Sequence, residues 1–221
     1  MVKERQTMII TFSHPKGGVG KSLLAFNYSV YCENKRENPI IIDLDGQHSI
    51  SNFNKLRVAK SSLKPLNIKT FSSIDELANF LNNVSENQKI IIDTGGFDSS
   101  FNRVALTFAD KIITPVSDNP VELMRLYDFS QILKEISAAA GRELKALIAL
   151  NRIHVSLKNN IVKEQFANVD NFIFLKSIVR DRAKIKYSVT DGLSIFDEKK
   201  SLKDSKANSE LKELFKEINK I

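Results

Sequence analysis

One segment near the N-terminus restricts the fold of this chain more than any other. The apolar run "MIITFS" at residues 8–13 leads into the glycine-rich segment "HPKGGVGKS" at 14–22, and "LLAFNYSVY" follows with helical spacing. Glycines let successive backbone N–H groups turn toward an anion, and the start of a helix adds the positive end of its dipole. This order of strand, loop and helix predicts a phosphate-binding loop at the end of a buried strand.

The loop contains two lysines and departs from the strict pattern G-x-x-x-x-G-K-[ST]. That pattern requires glycine where this chain has Pro15, and Lys16 follows immediately. Lys21 occupies the position whose ammonium reaches the β- and γ-phosphates, and Ser22 the position whose hydroxyl ligates magnesium. The alternative is a glycine-rich turn with surface lysines. The strand-to-helix junction favours a nucleotide phosphate site.

Strands that alternate with helices predict the fold class. Short apolar runs indicate buried parallel strands at 8–13, 39–45, 89–95, 111–116 and 144–150. Helical spacing occurs at 21–35, 74–84 and 121–139. We expect further strands at 66–71 and 172–175 and a C-terminal helix, with 176–205 the most irregular region. The predicted fold is α/β: a doubly wound, mostly parallel sheet flanked by helices.

Carboxylates follow two of the predicted strands. "IIIDTGG" places Asp93 directly after three isoleucines, and "IIIDLDGQ" places Asp43 and Asp45 at another strand end. Ligands of doubly wound sheets bind at the carboxyl ends of strands, so Asp93 is expected in the coordination shell of a nucleotide-bound magnesium ion. Each acid alone is equally compatible with a helix cap or a turn.

The three motifs together resemble one family. "KGGVGKS" at 16–22, "DLDGQ" at 43–47 and "IIIDTGG" at 90–96 resemble the ParA/MinD family of deviant Walker A P-loop ATPases, the SIMIBI class, and the order of elements matches over nearly the whole chain. The resemblance implies ATP or ADP and Mg²⁺ as cofactors. It also implies a face-to-face homodimer in which Lys16 reaches the partner's nucleotide, much as an arginine finger does.

The resemblance also assigns roles to individual residues. The implied catalytic residues are Lys16, Lys21 and Asp45, of which Asp45 positions or activates the attacking water. The implied metal-shell residues are Ser22, Asp43 and Asp93. The implied nucleotide-binding residues are Lys16, Gly17, Gly18, Val19, Gly20, Lys21, Ser22 and Leu23, with Asn151 and Arg152 at the adenine. Gly46 departs from the family, which usually has proline there, whereas Gln47 matches. His14 is expected to be a turn residue and not a catalytic one.

Composition limits the class of protein. The chain has 221 residues, no apolar run of the length that a membrane span needs, and one cysteine, Cys32, which excludes an intramolecular disulfide. A single cysteine in a predicted helix also argues against the iron–sulfur branch of the resembled superfamily. We expect one cytoplasmic P-loop domain, residues 1–221, on which a C-terminal helix at about 203–221 is docked.

A basic segment in the second half is the candidate DNA surface. The formal charge is +7, most of it after residue 110, and "KSIVRDRAKIKYS" concentrates it in Lys176, Arg180, Arg182, Lys184 and Lys186. Such a cluster favours non-specific contact with DNA phosphates through counterion release. The alternative is a solvated charged helix face. The lysines at 199, 200 and 203 are expected to extend the cluster.

The resemblance leaves two functions open. Only seven residues precede the first strand, which resembles the short partition ATPases of plasmids that lack a helix-turn-helix. The first function is therefore ATP-driven dimerisation on nucleoid DNA, with a ParB-like adaptor stimulating hydrolysis to segregate a plasmid or chromosome. The second is a MinD-like positioning ATPase on a membrane or polar protein scaffold. The periodicity of residues 209–221 suits a membrane helix, but docking on the domain is favoured, so a membrane partner is not expected.

Overall fold

The computed structural model of the chain describes residues 7–154, 160–197 and 204–221. Within them the strands are β1 Met8–Phe12, β2 Ile40–Asp43, β3 Asn67–Lys69, β4 Lys89–Asp93, β5 Lys111–Val116, β6 Ala146–Ile153 and β7 Phe172–Arg180. The helices are α1 Lys21–Glu33, α2 Ser49–Ser61, α3 Ile74–Asn82, α4 Ser100–Phe108, α5 Pro120–Ala140, α6 Asn160–Gln165, α7 Ala183–Ser188 and α8 Ser205–Lys220, with a 3-10 turn at Val189–Asp191.

The strands form one parallel sheet in the order β3-β2-β4-β1-β5-β6-β7. Helices cover both faces, so the predicted doubly wound α/β fold is confirmed. The glycine loop follows the central strand, β1. Because parallel strands end at a common edge, the loop lies beside the ends of its neighbours β4 and β5. No helix among the described residues is long and apolar enough to cross a bilayer.

Isoleucine runs form the strands because central parallel strands are buried on both faces. Ile91 packs into the apolar cluster that contains α1 and α8, whereas Ile90 and Ile92 pack into the cluster that contains α3 and α4. Ile41 and Ile42 of β2 divide between the same two clusters. Uninterrupted apolar runs therefore predicted these strands correctly, because both faces of each strand require apolar side chains.

Helix α8 packs against α1 through an aromatic cluster. Its residues Leu211, Leu214, Phe215 and Ile218 are fully buried. The ring centroid of Phe215 lies 5.1 Å from that of Tyr28 and 5.4 Å from that of Tyr31, both on α1. The Tyr28 hydroxyl donates to Asn219 Oδ1 at 2.6 Å. The apolar face of α8 is thus occupied by its own domain.

The same helix covers the edge strand β7 with carboxylates. Glu217 accepts the backbone N–H groups of Lys176 and Ser177, at 2.7 and 2.9 Å, and Glu210 accepts that of Arg180 at 3.0 Å. An edge strand otherwise presents unpaired N–H groups that can pair with another chain. The predicted strand at 172–175 therefore extends to Arg180, and the expectation that 176–205 is the most irregular region is wrong for β7 and α7.

Helix α2 was not predicted, and its packing explains why. Only Ile50 and Arg57 are buried, so α2 lacks an apolar stripe. The Arg57 guanidinium instead makes two hydrogen bonds to the buried Asp197 carboxylate, and Lys60 Nζ donates to Thr190 O at 2.9 Å. These contacts fix α2 to the 3-10 turn and the residues after it. Helices α4 and α6 were also missed, and the lysines at 199, 200 and 203 lie outside the described residues.

Candidate functional site

The ends of three strands meet beside the glycine loop. Asp93 is aligned with Phe12 in the β1–β4 pairing and with Asp43 in the β2–β4 pairing. The Thr94 N–H donates to Phe12 O at 3.2 Å, which continues the pairing past the last strand residue. The sheet register therefore brings both predicted metal-shell acids to the base of the loop, as the sequence led us to expect.

The loop lines one side of a cavity of about 510 Å³. Its lining includes loop residues, the start of α1, the segment after β2 and the segment after β4: Gly17, Gly18, Gly20, Lys21, Ser22, Leu23, Asp45, Gln47, Ser49, Phe53, Gly96 and Phe97. Gly20 has φ +100°, a conformation that a side chain would strain, and a Cβ there would lie 2.5 Å from Asn151 Nδ2. The volume and the glycine-rich lining at the start of a helix suit a nucleotide.

The two lysines of the loop occupy different places. Lys21 is buried, lines the cavity, and donates from Nζ to Lys16 O at 3.0 Å. Burial lowers the pKa of Lys21, while Asp93 and Asp45 oppose that shift. The Lys16 ammonium lies 3.7 Å from Glu122 Oε1, and its side chain is 32% exposed. The lysines are therefore not equivalent: one lines the cavity of its own loop, and the other lies beside a helix start.

The acids beneath the cavity have acceptor atoms without partners. Asp93 is fully buried, and neither of its carboxylate oxygens accepts a hydrogen bond among the described groups. Burial raises the pKa of Asp93 to about 8, and the Asp43 charge adds to the shift. The Ser22 hydroxyl and the Lys21 charge oppose it, although Ser22 makes no hydrogen bond of normal geometry to Asp93. Asp43 accepts from the Ser51 N–H and hydroxyl through Oδ2, at 3.0 and 2.6 Å, whereas Oδ1 is buried without a partner.

This donor set fits magnesium held jointly with a nucleotide. Buried carboxylate oxygens without donors are stabilised by a cation, and Mg²⁺ prefers oxygen ligands. The described residues contain no cluster of three or more acidic, histidine or cysteine side chains that could hold a metal alone. In P-loop sites, however, one or two protein oxygens, waters and phosphates complete the coordination shell. The oxygens of Ser22, Asp43 and Asp93 fit such a shared coordination shell.

Asp45 lies at the cavity wall and not in the core. It is half-buried, and its Oδ1 accepts the Gln47 N–H at 3.0 Å, which fixes the turn that contains Gly46. An added Cβ at Gly46 would have no atom within 4 Å, so the space at this position would also accept a residue with a side chain. A half-buried carboxylate facing the cavity is suitably placed to accept a proton from a water molecule or to orient one.

The predicted adenine contacts bind the loop itself. Asn151 Nδ2 donates to Val19 O at 2.9 Å, and Arg152 Nη1 donates to Gly18 O at 2.6 Å. Arg152 has φ +59°, an uncommon conformation for a residue with a side chain, and it belongs to the end of β6. Asn151 and Arg152 are thus close to the site but support the loop backbone, and they are not among the cavity-lining residues.

Two residues that sequence reasoning did not assign to the site adjoin the loop. His14 is fully buried, and its Nδ1 accepts the Lys16 N–H at 3.0 Å; burial, with Lys21 and Lys16 adding, lowers its pKa to about 3. Glu122 is buried in the first turn of α5, beside Lys16. The capping residue Asn119, three positions earlier, was a signal for the helix start but not for its closeness to the loop.

The five basic residues of the candidate DNA surface do not form one helix face. Lys176 and Arg180 lie on β7, Arg182 precedes α7, and Lys184 and Lys186 lie on α7. Arg182 makes two hydrogen bonds to Glu210, at 3.0 and 2.5 Å, and Lys186 Nζ lies 2.7 Å from Asp181 Oδ1. Two carboxylates therefore offset part of the positive charge that the sequence concentrates there.

Comparisons with known proteins agree with this geometry. The family model for the CobQ/CobB/MinD/ParA nucleotide-binding domain matches residues 10–195. No curated protein matches the sequence. Among solved structures, a Borrelia burgdorferi B31 protein described as a plasmid partition protein and bound to AMPPNP is 18% identical, with a TM-score of 0.67 over 97% of this chain and 99% of that one.

Two further structures show the same fold. MinD of Pyrococcus horikoshii OT3 with Mg-ADP is 16% identical, with a TM-score of 0.69 over 97% of each chain. A variant of McdA from Cyanothece with ATP is 13% identical, with a TM-score of 0.68 over 98% of this chain and 97% of that one. Such identities establish the fold alone, whereas the family model covers most of the chain and its motifs. The chain therefore belongs to the family of CobQ/CobB/MinD/ParA nucleotide-binding domains.

Proposed function

We propose that this chain is a ParA-like partition ATPase. Bound ATP and Mg²⁺ drive a face-to-face homodimer, the dimer binds DNA without sequence preference, and a DNA-bound ParB-like adaptor stimulates hydrolysis and release. This cycle segregates a plasmid or chromosome on the nucleoid of the cytoplasm. The observation that carries the proposal is the separation of the two loop lysines: Lys21 lines its own cavity, whereas the Lys16 ammonium lies beside Glu122 at the start of α5.

Each loop residue has a distinct role in this proposal. Lys21 and the N–H groups of the loop glycines bind the β- and γ-phosphates, and Leu23 contacts the nucleotide from the first turn of α1. Ser22, Asp43 and Asp93 would hold Mg²⁺, which would offset the negative charge of the phosphates. Asp45 orients the attacking water. Lys16 crosses to the partner's nucleotide, where its charge stabilises the negative charge that develops on the phosphates.

The choice of DNA over a membrane is supported by two features. The apolar residues of α8 are fully buried, so a lipid surface has access to them only if α8 leaves the domain. Three solved structures of this fold come from proteins described as plasmid partition proteins of Borrelia burgdorferi. The alternative, a MinD-like positioning ATPase, is supported by an equally close fold similarity to MinD.

The dimer is tested by light scattering with ATP, ADP or no nucleotide. We expect dimers with ATP and monomers otherwise. Lys16→Ala should keep ADP affinity within about twofold while it abolishes adaptor-stimulated hydrolysis, because Lys16 acts only across the dimer. Lys21→Ala is the matched control, and it should lose ADP binding itself. Wild-type turnover in Lys16→Ala would contradict the cross-dimer role.

DNA and membrane binding are separated by co-sedimentation with DNA and with anionic liposomes, each with ATP and with ADP. Replacing Lys184 and Lys186 by glutamine should reduce the magnitude of the negative slope of log K against log salt by about 2, since each lost phosphate contact removes about 0.9. The control variant carries glutamine at Lys134, which is exposed on α5, and at Lys145, which is exposed after α5. It removes the same charge away from the candidate DNA surface. Liposome binding without DNA binding at low salt would favour the MinD-like alternative.

A further inference from the structure

Glu122 is a buried carboxylate that the proposed cycle does not use. It lies in the first turn of α5 and is 2% exposed. Its Oε2 accepts the Ser117 N–H at 3.0 Å. Its Oε1 lies 3.7 Å from Lys16 Nζ and 3.9 Å from Arg152 Nη1. One oxygen therefore holds a local backbone turn, and the other faces two cations beside the glycine loop.

The Glu122 carboxylate can compete with a nucleotide phosphate for the Lys16 ammonium. Arg152 also donates to Gly18 O, so Arg152 joins the carboxylate to the loop backbone. A buried carboxylate without cations would be costly, and the two cations compensate it. Lys16 is still one-third exposed, so its ammonium can leave this position without any rearrangement of the core. Phosphate oxygens offer Lys16 the same type of charge-assisted hydrogen bond as the carboxylate does.

We propose that Glu122 is a positioning residue that restrains Lys16 in the monomer. The inference rests on the proposed ATP-dependent dimer. On dimerisation the partner's phosphates replace the Glu122 carboxylate at Lys16, while Arg152 remains on Glu122 and compensates its charge. Because the contact must break in each subunit, Glu122 opposes dimerisation until two nucleotides are in place, and so it raises the ATP concentration at which dimers form.

Glu122→Gln tests the restraint because it removes the charge and keeps an oxygen for the Ser117 N–H. In the nucleotide-free monomer, Lys16 should react with an acylating reagent about threefold faster, as expected when a partly exposed ion pair is lost. Reactivity is read lysine by lysine by mass spectrometry, with Lys134 of the same helix as internal reference. The ATP concentration for half-maximal dimerisation should fall about threefold, because two such contacts break in each dimer and each dimer takes up two ATP molecules.

Asp128→Asn is the matched control, because Asp128 is an exposed acid on α5 that pairs with Arg125. It should change neither readout. Unchanged Lys16 reactivity in Glu122→Gln, with only a lower melting temperature, would assign Glu122 to holding the turn at Ser117 alone and overturn the restraint. Weaker dimers in Glu122→Gln would overturn it too. If the unaltered protein stays monomeric with ATP, the proposed dimer fails, but Lys16 reactivity still decides the restraint.

Discussion

Gly96 packs against the loop so tightly that a single methyl group should impair nucleotide binding. A Cβ at this position would lie 2.6 Å from Gly17 N and 2.7 Å from Gly17 Cα. Ordinary contact begins at 3.4 Å, so Gly17 would have to move by about 0.8 Å, the difference between 3.4 and 2.6 Å. Gly17 lines the cavity, and a hydrogen bond from its N–H to a charged phosphate contributes about 1.5–3 kcal/mol. Losing it should raise the Kd for ADP about tenfold to hundredfold.

Isothermal titration of Gly96→Ala with ADP measures this loss. Gly95→Ala is the matched control, because its added Cβ would meet only the Phe97 ring, at 3.4 Å, and neither glycine has a positive φ. Circular dichroism melts verify that both variants fold. If Gly96→Ala binds ADP as tightly as the unaltered protein, the reasoning is refuted. An equal loss of ADP affinity in both variants would show that the contact with Gly17 is not the cause.

Three further predictions concern stability. Gly192→Ala should lose about 1–3 kcal/mol more free energy of unfolding, measured in urea, than Gly141→Ala. Both glycines have positive φ, but only at Gly192 would an added Cβ lie 2.0 Å from Arg57 N. An equal loss in the two variants would argue against this contact. The pKa of His14 is lowered by burial to about 3 in the folded state, from 6.5 when unfolded, so its contribution to stability is complete above about pH 6.5 and is lost as the pH falls toward 3. The stability advantage over His14→Gln, measured without nucleotide, should therefore decrease by about 1.4 kcal/mol per pH unit in that window, and a pH-independent difference would contradict it. Glu217→Ala should speed amide hydrogen exchange at Lys176 and Ser177 about tenfold, because both N–H groups lose a charged acceptor. Glu213→Ala is the control and should leave this exchange unchanged. Protection that persists in Glu217→Ala would mean that another group covers this edge.

The sheet and the loop were predictable because their causes are local in sequence. Strands buried on both faces need unbroken apolar runs such as Ile90–Ile92, and the loop needs glycines at fixed spacing. Glu122 was not predictable, because its role depends on α5 starting beside a loop more than a hundred residues earlier. The carboxylates beside the basic residues were not predictable for the same reason: Glu210 and Glu217 lie 30 and 41 residues from the β7 groups that they bind.

The attachment of α2 has a consequence for synthesis of the chain. The helix follows the Asp45 turn directly, yet its buried partner Asp197 comes 140 residues after Arg57, and the Asp191 carbonyl that accepts from Ser61 comes 130 residues after it. While a ribosome has released only the first three-quarters of the protein, α2 has none of these partners. The glycine loop and its acids can form early on the central strands, and Asp43 can hold Ser51 at the start of α2, but the end of α2 gains its partners only near the end of translation. A nascent chain should therefore acquire phosphate binding before α2 is held along its whole length.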